Sequence, residues 1–330
     1  MLKVYVTGAS GLLGRQVYNQ FKQNGHSVLG TSFSRQNKDL VKIDLTDNEQ
    51  VVKFFDGHEF DVLVHCAAER RPDVVLKDPK SAEKLNEKAP GMLAKLCSKK
   101  NIFMVYVSTD YVFDGKNPPY HIDASANPIN EYGVSKLNGE NAVISSGLAN
   151  YLIIRIPILY GEIAFFGESS VDTLLKNILS ANNHNKDLLI KHQNSSESNQ
   201  INFKKVEGDL FQVRFPTLTT DVARVICEAC TKRVLHNQLN INGIAHFSAK
   251  DPMTKYDMCK LFCEALDIPS DGFIIPVKPY PQANKESVAN RPENCELSVE
   301  TLESWGIDTS YQNFDNWWLS AIPKNSFISN

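Results

Sequence analysis

The sequence predicts an α/β protein built on a doubly wound parallel sheet, with a smaller α/β domain at the C-terminus. Through the first 160 of the 330 residues, short apolar runs alternate with segments of helical apolar spacing. The first run ends in a glycine turn, Gly8-Ala-Ser-Gly-Leu-Leu-Gly14. The run from Asp61 to Ala68 is apolar almost throughout, as in a strand that is covered on both faces. This alternation implies right-handed crossovers and a parallel sheet.

Six strands are predicted in the first half of the chain. They cover residues 2–7, 26–33, 40–45, 61–68, 103–107 and 151–156. The first helix has an apolar face of Leu13, Val17 and Phe21, and it ends at Gly25, which tolerates a left-handed backbone. Thr46-Asp-Asn-Glu49 is a predicted capping box for the second helix.

Two further helices are predicted between the later strands. One begins at Asp78-Pro79 and is expected to kink at Pro90, because proline lacks the amide that a helix interior needs. The other covers about 131–146. The stretch 182–208 is rich in Asn, Ser and Lys and is predicted to be a long exposed loop or insertion.

The chain is predicted to form two domains. The first covers residues 1–160, with a return segment near 217–248, and the second covers residues 161–330. The tail carries the adjacent tryptophans Trp317 and Trp318. These side chains are expected to cover the core of the smaller domain, although a contact with a partner protein is the alternative.

Bulk properties restrict the class of protein. The formal net charge is −3 and dense Lys/Arg clusters are missing, so no nucleic-acid partner is expected. The chain starts with the first strand, so no signal peptide is expected, and the apolar stretch 151–160 is too short to span a bilayer. Seven cysteines, an odd number, fit a reducing compartment. We expect a cytoplasmic protein with no membrane contact.

Two cysteine pairs have a spacing that a zinc site could use, Cys227/Cys230 and Cys259/Cys263. Both pairs lie in segments with helical apolar spacing, whereas zinc-binding pairs usually lie on turns. The favoured interpretation is that they are buried small hydrophobic residues and that no metal is bound.

The glycine turn has the spacing of a dinucleotide-binding site. Gly8 permits the tight turn, Gly11 lets the backbone approach phosphate, and Gly14 lets helix and strand pack closely. The pyrophosphate would lie on the N-terminus of the first helix. A glycine turn alone is weak evidence, but its position between a strand and a helix in an alternating array strengthens it.

The end of the second strand favours NADP over NAD. A carboxylate there would accept a hydrogen bond from the ribose 2′-hydroxyl, but Thr31-Ser-Phe-Ser-Arg35 contains no acid. Arg35, helped by the Ser34 hydroxyl, could clamp a 2′-phosphate. The alternative is an exposed arginine on a loop. Asp44 could reach the adenine or could belong to the following helix cap.

A proton-relay site is predicted from Tyr132 and Lys136, which are four residues apart and therefore share one helix face. The lysine charge is expected to lower the pKa of the phenol, which would make it a usable acid near neutral pH. Thr109 ends the fifth strand, where parallel sheets bind ligands, and its hydroxyl could polarise a substrate carbonyl.

These motifs together resemble the extended short-chain dehydrogenase/reductases, which have a Rossmann fold. The resemblance rests on the glycine turn, Ser108-Thr-Asp-Tyr-Val-Phe113, Tyr132/Lys136 and Arg155-Ile-Pro-Ile-Leu-Tyr-Gly161. The most similar branch contains dTDP-4-dehydrorhamnose reductases and their relatives, the regulatory beta subunits of methionine adenosyltransferase. The segments most similar to the beta subunits are His65–Asp73, Asn117–Tyr120, Arg155–Glu162, Arg214–Thr217 and Met253–Met258.

The resemblance runs to about Gly306 and implies a site that binds NADP (NADPH). Thr109, Tyr132 and Lys136 would be its catalytic residues. The residues expected to contact the cofactor are Thr7, Gly8, Ser10, Gly11, Leu12, Leu13, Gly14, Ser34, Arg35, Asp44, Leu45, Cys66, Ala67, Ala68, Tyr132, Lys136 and Ile158. The sequence departs from the beta-subunit pattern in the 182–208 stretch, at the C-terminal tail and at Thr109, where the beta subunits have serine.

The resemblance implies a protein that associates with the catalytic subunit of methionine adenosyltransferase, with little or no reductase activity. The alternative is an active NADPH-dependent reductase of a 4-keto sugar nucleotide, because the relay residues are intact. A redox-sensing scaffold is a third hypothesis. The loop Glu69-Arg-Arg-Pro-Asp73 could hold a sugar-nucleotide phosphate, contact a partner, or carry solvated charges that pair with each other.

Overall fold

The computed structural model describes residues 1–35, 38–193, 202–278 and 288–324. The strands in this part of the chain are β1 (Lys3–Thr7), β2 (Ser27–Ser32), β3 (Leu40–Lys42), β4 (Val62–His65), β5 (Phe103–Thr109), β6 (Tyr151–Ile156), β7 (Leu159–Tyr160), β8 (Val206–Asp209), β9 (Thr217–Leu218), β10 (Gly243–His246) and β11 (Ile274–Val277). Seven of them form one parallel sheet in the order β10-β6-β5-β4-β1-β2-β3. The predicted doubly wound parallel sheet is therefore confirmed.

Helices cover both faces of this sheet and form the C-terminal part. They are α1 (Leu12–Gln23), α2 (Asn48–Asp56), α3 (Pro72–Lys77), α4 (Pro79–Glu83), α5 (Ala89–Lys100), α6 (Glu131–Ile144), α7 (Ser170–Gln193), α8 (Thr219–Cys230), α9 (Lys255–Ala265), α10 (Glu300–Ser304) and α11 (Phe314–Lys324). A π-helical turn, Lys84–Lys88, joins α4 to α5 directly before Pro90. The helix irregularity that was predicted at Pro90 is this π-helical turn.

The apolar residues fall into three large clusters. One lies between the sheet and the helices α1 and α8, and a second lies on the opposite face beneath α2, α5 and α6. These two clusters explain why the central strands are apolar over most of their length, because each strand buries both faces. The third cluster joins α7, α9 and α11. Trp318 is 1% exposed in it, which confirms its predicted place in the core of the C-terminal part.

The return segment reaches the main sheet. Strand β10 pairs with β6, and α8 packs against α1. The two small parallel pairs, β7 with β9 and β8 with β11, lie outside the main sheet. The boundary between two domains at residue 160 stays a prediction.

Two local predictions are wrong. Residues 182–193 continue α7 and are not a loop; the polar residues there form a largely exposed half-helix beyond the packed positions Val171, Leu175 and Ile178. Residues 194–201 lie outside the described part, and residues 206–208 are not a loop either, because they belong to strand β8. The N-cap of α2 is Asp47, whose side chain accepts from the Gln50 amide, and not Thr46. Thr46 instead donates from its amide and its hydroxyl to Asp44.

The cysteine pairs lie on helices, as the apolar spacing predicted. Cys227 and Cys230 are on α8, and Cys259 and Cys263 are on α9. All four are buried in apolar clusters. The described helices include none that is long and apolar enough to cross a membrane.

Candidate functional site

Most of the sequence-predicted site residues lie beyond the carboxyl ends of the parallel strands. Thr7 to Gly14 follow or end β1, Ser34 and Arg35 follow β2, and Asp44 and Leu45 follow β3. Cys66, Ala67 and Ala68 follow β4, Thr109 ends β5, and Ile158 follows β6. The sheet order places the reversal of connection between β1 and β4, which is where open α/β sheets bind ligands.

The glycines of the turn let β1, the loop after β4 and the start of α1 pack closely together. Gly8 has φ +65°, and a Cβ atom there would lie 2.9 Å from the main chain of Ala67. A Cβ atom at Gly14 would lie 2.1 Å from the Gly8 carbonyl oxygen, so only glycine allows α1 to begin this close to β1. Gly11 is the N-cap of α1 and has no side chain to accept from the amides of the first turn.

These features fit a dinucleotide phosphate. The uncapped amides at the start of α1 are the donors that an anion needs, and the helix dipole favours negative charge there. The side chains of Leu12 and Leu13 are buried in the apolar clusters, so these residues could contact a nucleotide only through their main chain. The Thr7 hydroxyl lies 2.7 Å from Nδ1 of the buried His65, so it fixes the end of β4.

A buried carboxylate that the sequence did not indicate lies beside the turn. Glu168 accepts from both terminal nitrogens of Arg15, each at 2.8 Å, and from Nη1 of Arg35 at 2.6 Å. The same Arg35 nitrogen donates to the Ser10 carbonyl oxygen at 2.7 Å. Glu168 lies 133 residues from Arg35, in a segment without clear periodicity, so nothing in the sequence connects the two.

The loop after β4 is held by α6 and by the segment around Glu168. Asn86 exchanges hydrogen bonds with the main chain of Glu69 and donates to the Ser135 hydroxyl on α6 at 3.0 Å. Arg70 donates to the Glu168 carbonyl oxygen. Arg71 pairs with Glu69 at the surface, which is the case in which the charges of this loop pair with each other.

Of the three relay residues, Thr109 and Tyr132 lie together, whereas the Lys136 side chain contacts other groups. Tyr132 hydrogen-bonds to Thr109, and the Nζ atom of Lys136 donates to the Val107 carbonyl oxygen at 2.8 Å. Nζ also lies 4.0 Å from the centroid of the Tyr106 ring.

The predicted lowering of the Tyr132 pKa by Lys136 is wrong for this arrangement. Burial raises the pKa of Tyr132, and the hydrogen bond with Thr109 opposes this only in part. Burial lowers the pKa of Lys136 to about 7, and the nearby Glu140 carboxylate opposes this shift. At neutral pH the site therefore holds a neutral phenol and a lysine that is easily deprotonated.

Asp110 adds a further titratable group to this site, and the sequence did not single it out. It follows Thr109 directly and accepts a hydrogen bond from the Thr109 hydroxyl at 3.0 Å. Burial raises the pKa of Asp110 to about 7, with the charge of Arg214 opposing.

Three cationic side chains from the second half of the chain lie close to one another near this site. Arg214 is 3% exposed and donates to the carbonyl oxygens of Val213 and Pro292. Arg291 pairs with Asp73 at 2.7 Å. Burial, together with the charges of Arg291 and Arg214, lowers the pKa of Lys255 to about 8. Like charges held this close together favour an anion.

A nucleotide-binding α/β fold with a Tyr132/Lys136 pair beyond the carboxyl ends of its strands is characteristic of the extended short-chain dehydrogenase/reductases. Within that class the chain belongs to the RmlD family, because the model of the RmlD substrate binding domain matches residues 2–316.

The curated relatives point to one branch of this family. The chain is 39% identical to methionine adenosyltransferase 2 subunit beta of Danio rerio over 314 residues, which covers 95% of this chain and 88% of that protein. It is 38% identical to the Bos taurus protein of the same name, over 92% of this chain and 83% of that protein. The resemblance to the beta subunits is confirmed.

Solved structures agree on the fold. A dTDP-4-dehydrorhamnose reductase from Clostridium acetobutylicum is 26% identical with a TM-score of 0.73, covering 98% of both chains. A Bacillus anthracis dTDP-4-dehydrorhamnose reductase, solved in complex with NADP, is 22% identical with a TM-score of 0.74, again covering 98% of both chains. The latter likeness is one of fold alone.

Proposed function

We propose that the chain is an NADP-binding regulatory beta subunit of methionine adenosyltransferase, which supports S-adenosylmethionine biosynthesis from the cytoplasm. The observation that carries this proposal is the 39% identity to a protein of that name over 95% of the chain. The proposed partner is the catalytic subunit of methionine adenosyltransferase.

Co-purification tests the partnership. The full chain and the catalytic subunit of methionine adenosyltransferase are mixed at micromolar concentration and separated on a sizing column. We expect one common peak that elutes earlier than either protein alone. Separate elution of the two proteins would contradict the proposal.

The proposed cofactor is NADP, which the Gly8–Gly14 turn and Arg35 would hold. The expected contact residues are those predicted from the sequence. In a thermal melt, NADP+ at 100 times its dissociation constant should stabilise the fold by about 2.7 kcal/mol, a shift of a few degrees. NAD+ at the same concentration should give a smaller shift. Equal shifts would contradict the role proposed for Arg35.

A second candidate function is NADPH-dependent reduction of a 4-keto sugar nucleotide. The observation that favours it is the position of Tyr111, whose ring lies 5.9 Å from that of Tyr132 and 5.8 Å from the guanidinium of Arg214. Arg214 belongs to the cation group with Lys255 and Arg291, which suits a diphosphate. In that case Tyr132→Phe should reduce turnover by roughly 10²–10⁴-fold, because the proton donor is lost. Failure to consume NADPH with any deoxy-sugar nucleotide would remove this candidate.

A further inference from the structure

Glu168 is almost completely buried, and its carboxylate is fully engaged by two arginines. Its side chain is 1% exposed, and besides Arg15 and Arg35 it accepts from the Ala164 amide at 2.8 Å. Burial opposes ionisation, but hydrogen bonds from Arg15 and Ala164 and the charges of both arginines hold the pKa of Glu168 below its usual value. The carboxylate is therefore charged at neutral pH.

We propose that Glu168 is a specificity-determining residue of the nucleotide site, because it competes with a 2′-phosphate for Arg35. This inference rests on the NADP site proposed above. The carboxylate lies 2.6 Å from Nη1 of Arg35, the guanidinium expected to bind the 2′-phosphate. A nucleotide that carries a 2′-phosphate takes Arg35 from Glu168, and a nucleotide with a 2′-hydroxyl does not.

The movement of Arg35 from Glu168 to a 2′-phosphate leaves no buried charge unpaired. When Arg35 turns to a phosphate, Glu168 keeps its two-point pairing with Arg15 and the Ala164 amide. Arg15 stays fixed because it also donates to the carbonyl oxygens of Ser10 and Glu162. A buried carboxylate left without a partner would be strongly unfavourable, and this arrangement avoids that.

Arg35 is placed to move between the two anions. Its side chain is 40% exposed, against 20% for Arg15, so it faces solvent while Arg15 is enclosed. One face of its guanidinium lies over the Phe165 ring at 4.8 Å, which supports the group without competing for its hydrogen bonds. Glu168 therefore weakens the binding of NADP without affecting that of NAD.

Glu168→Gln tests the competition, with Glu162→Gln as the matched control. Glu162 lies in the same segment and its side chain is exposed, so the control removes the same charge without freeing Arg35. Dissociation constants for NADP+, NAD+, 2′,5′-ADP and AMP are measured by calorimetry on the full chain. We expect E168Q to bind NADP+ and 2′,5′-ADP about tenfold more tightly, with NAD+ and AMP unchanged. E162Q should match the unmodified chain.

The outcome separates this inference from the cofactor proposal. If the unmodified chain prefers NADP+ but E168Q binds it equally well or more weakly, the competition is wrong and the NADP site stands. If neither the unmodified chain nor E168Q binds NADP+ more tightly than NAD+, the cofactor proposal fails, and with it this inference.

A double-mutant cycle assigns the gain to the right pair. In an Arg35→Gln background, adding E168Q should not change the affinity for NADP+, because the contested guanidinium is gone. A gain that persists without Arg35 would contradict the competition. Melting temperatures without nucleotide check the fold, and Glu168→Asp, whose shorter side chain reaches Arg35 less well, is judged by the same criterion if E168Q does not fold.

Discussion

The carboxylate of Glu140 on α6 pairs with the guanidinium of Arg155 on β6 in the interior of the protein. Nη2 and Nε of Arg155 donate to Glu140 at 2.7 Å and 3.0 Å, and the side chains are 1% and 5% exposed. Ser108, next to Thr109, donates to the same carboxylate. The pair thus fixes α6, which carries Tyr132 and Lys136, against the end of β5.

Removing one member of this pair should destabilise the fold strongly. We expect Glu140→Gln to reduce the free energy of unfolding by about 3–5 kcal/mol, because it leaves the Arg155 charge buried without its partner. The measurement is denaturant unfolding. The exposed pair Lys3–Glu59 is the control, and Glu59→Gln should cost far less than Glu140→Gln, because water screens an exposed pair. Equal losses would contradict the role of burial.

Asp110 should make stability depend on pH. Its pKa is raised to about 7, so the folded protein holds a proton between pH 4 and pH 7 that the unfolded chain has lost. The stabilisation is complete below the unfolded pKa and is lost as the pH rises through 7. Between pH 5 and pH 8 the unmodified chain should lose about 2–3 kcal/mol relative to Asp110→Asn.

Urea unfolding of both proteins at the two pH values measures this difference. The substitution keeps the Oδ1 acceptor for the Thr109 hydroxyl. Asp271→Asn, at an exposed position, is the control and should show no such difference from the unmodified chain. A pH-independent gap between Asp110→Asn and the unmodified chain would show that Asp110 does not titrate in this range.

Gly14→Ala should disrupt the start of α1. The added Cβ atom would lie 2.1 Å from the Gly8 carbonyl oxygen, a backbone atom that cannot move aside cheaply. We expect a loss of about 3 kcal/mol in the free energy of unfolding and a loss of nucleotide binding. Gly147→Ala is the control, since Gly147 has φ +83° and open space around it, and it should cost only about 1 kcal/mol.

Trp318→Ala should destabilise the C-terminal part more than Trp317→Ala. The Trp318 ring packs edge-on against Phe262 at 4.9 Å and is 1% exposed, whereas Trp317 is half-buried. Trp318→Ala should reduce the free energy of unfolding by about 3–5 kcal/mol. If Trp317→Ala costs as much in the free chain, the assignment of Trp318 as the core residue is wrong.

Local patterns in the sequence were sufficient for the fold. A glycine turn between a strand and a helix, continuous apolar strands and the four-residue spacing of Tyr132 and Lys136 depend on neighbouring residues. Such neighbours dictate backbone conformation and helix face directly. The place of the glycine turn between β1 and α1 and the helical place of the cysteine pairs followed from such patterns. The relay residues and the cofactor stay predictions from the same patterns.

The polar composition of residues 182–193 led to a wrong prediction, because the packing of the preceding helical turns decides their structure. The Asn- and Lys-rich residues 182–193 are helical because α7 begins on buried apolar positions and continues outward into solvent. The N-cap of α2 is Asp47 and not the predicted Thr46. Both residue types can cap a helix, but the Thr46 hydroxyl donates to Asp44 instead.

The sequence by itself determined which segments form strands and helices, and which residues lie at the ends of the strands. Only the tertiary structure decided which charges meet: Glu168 reaches Arg15 and Arg35 across more than a hundred residues, and Lys136 turns to the Val107 carbonyl oxygen rather than lowering the pKa of Tyr132. The physical reason is that ion pairs and buried pKa values depend on distances of a few ångströms and on solvent exclusion. Neither quantity has a periodic signal along the chain.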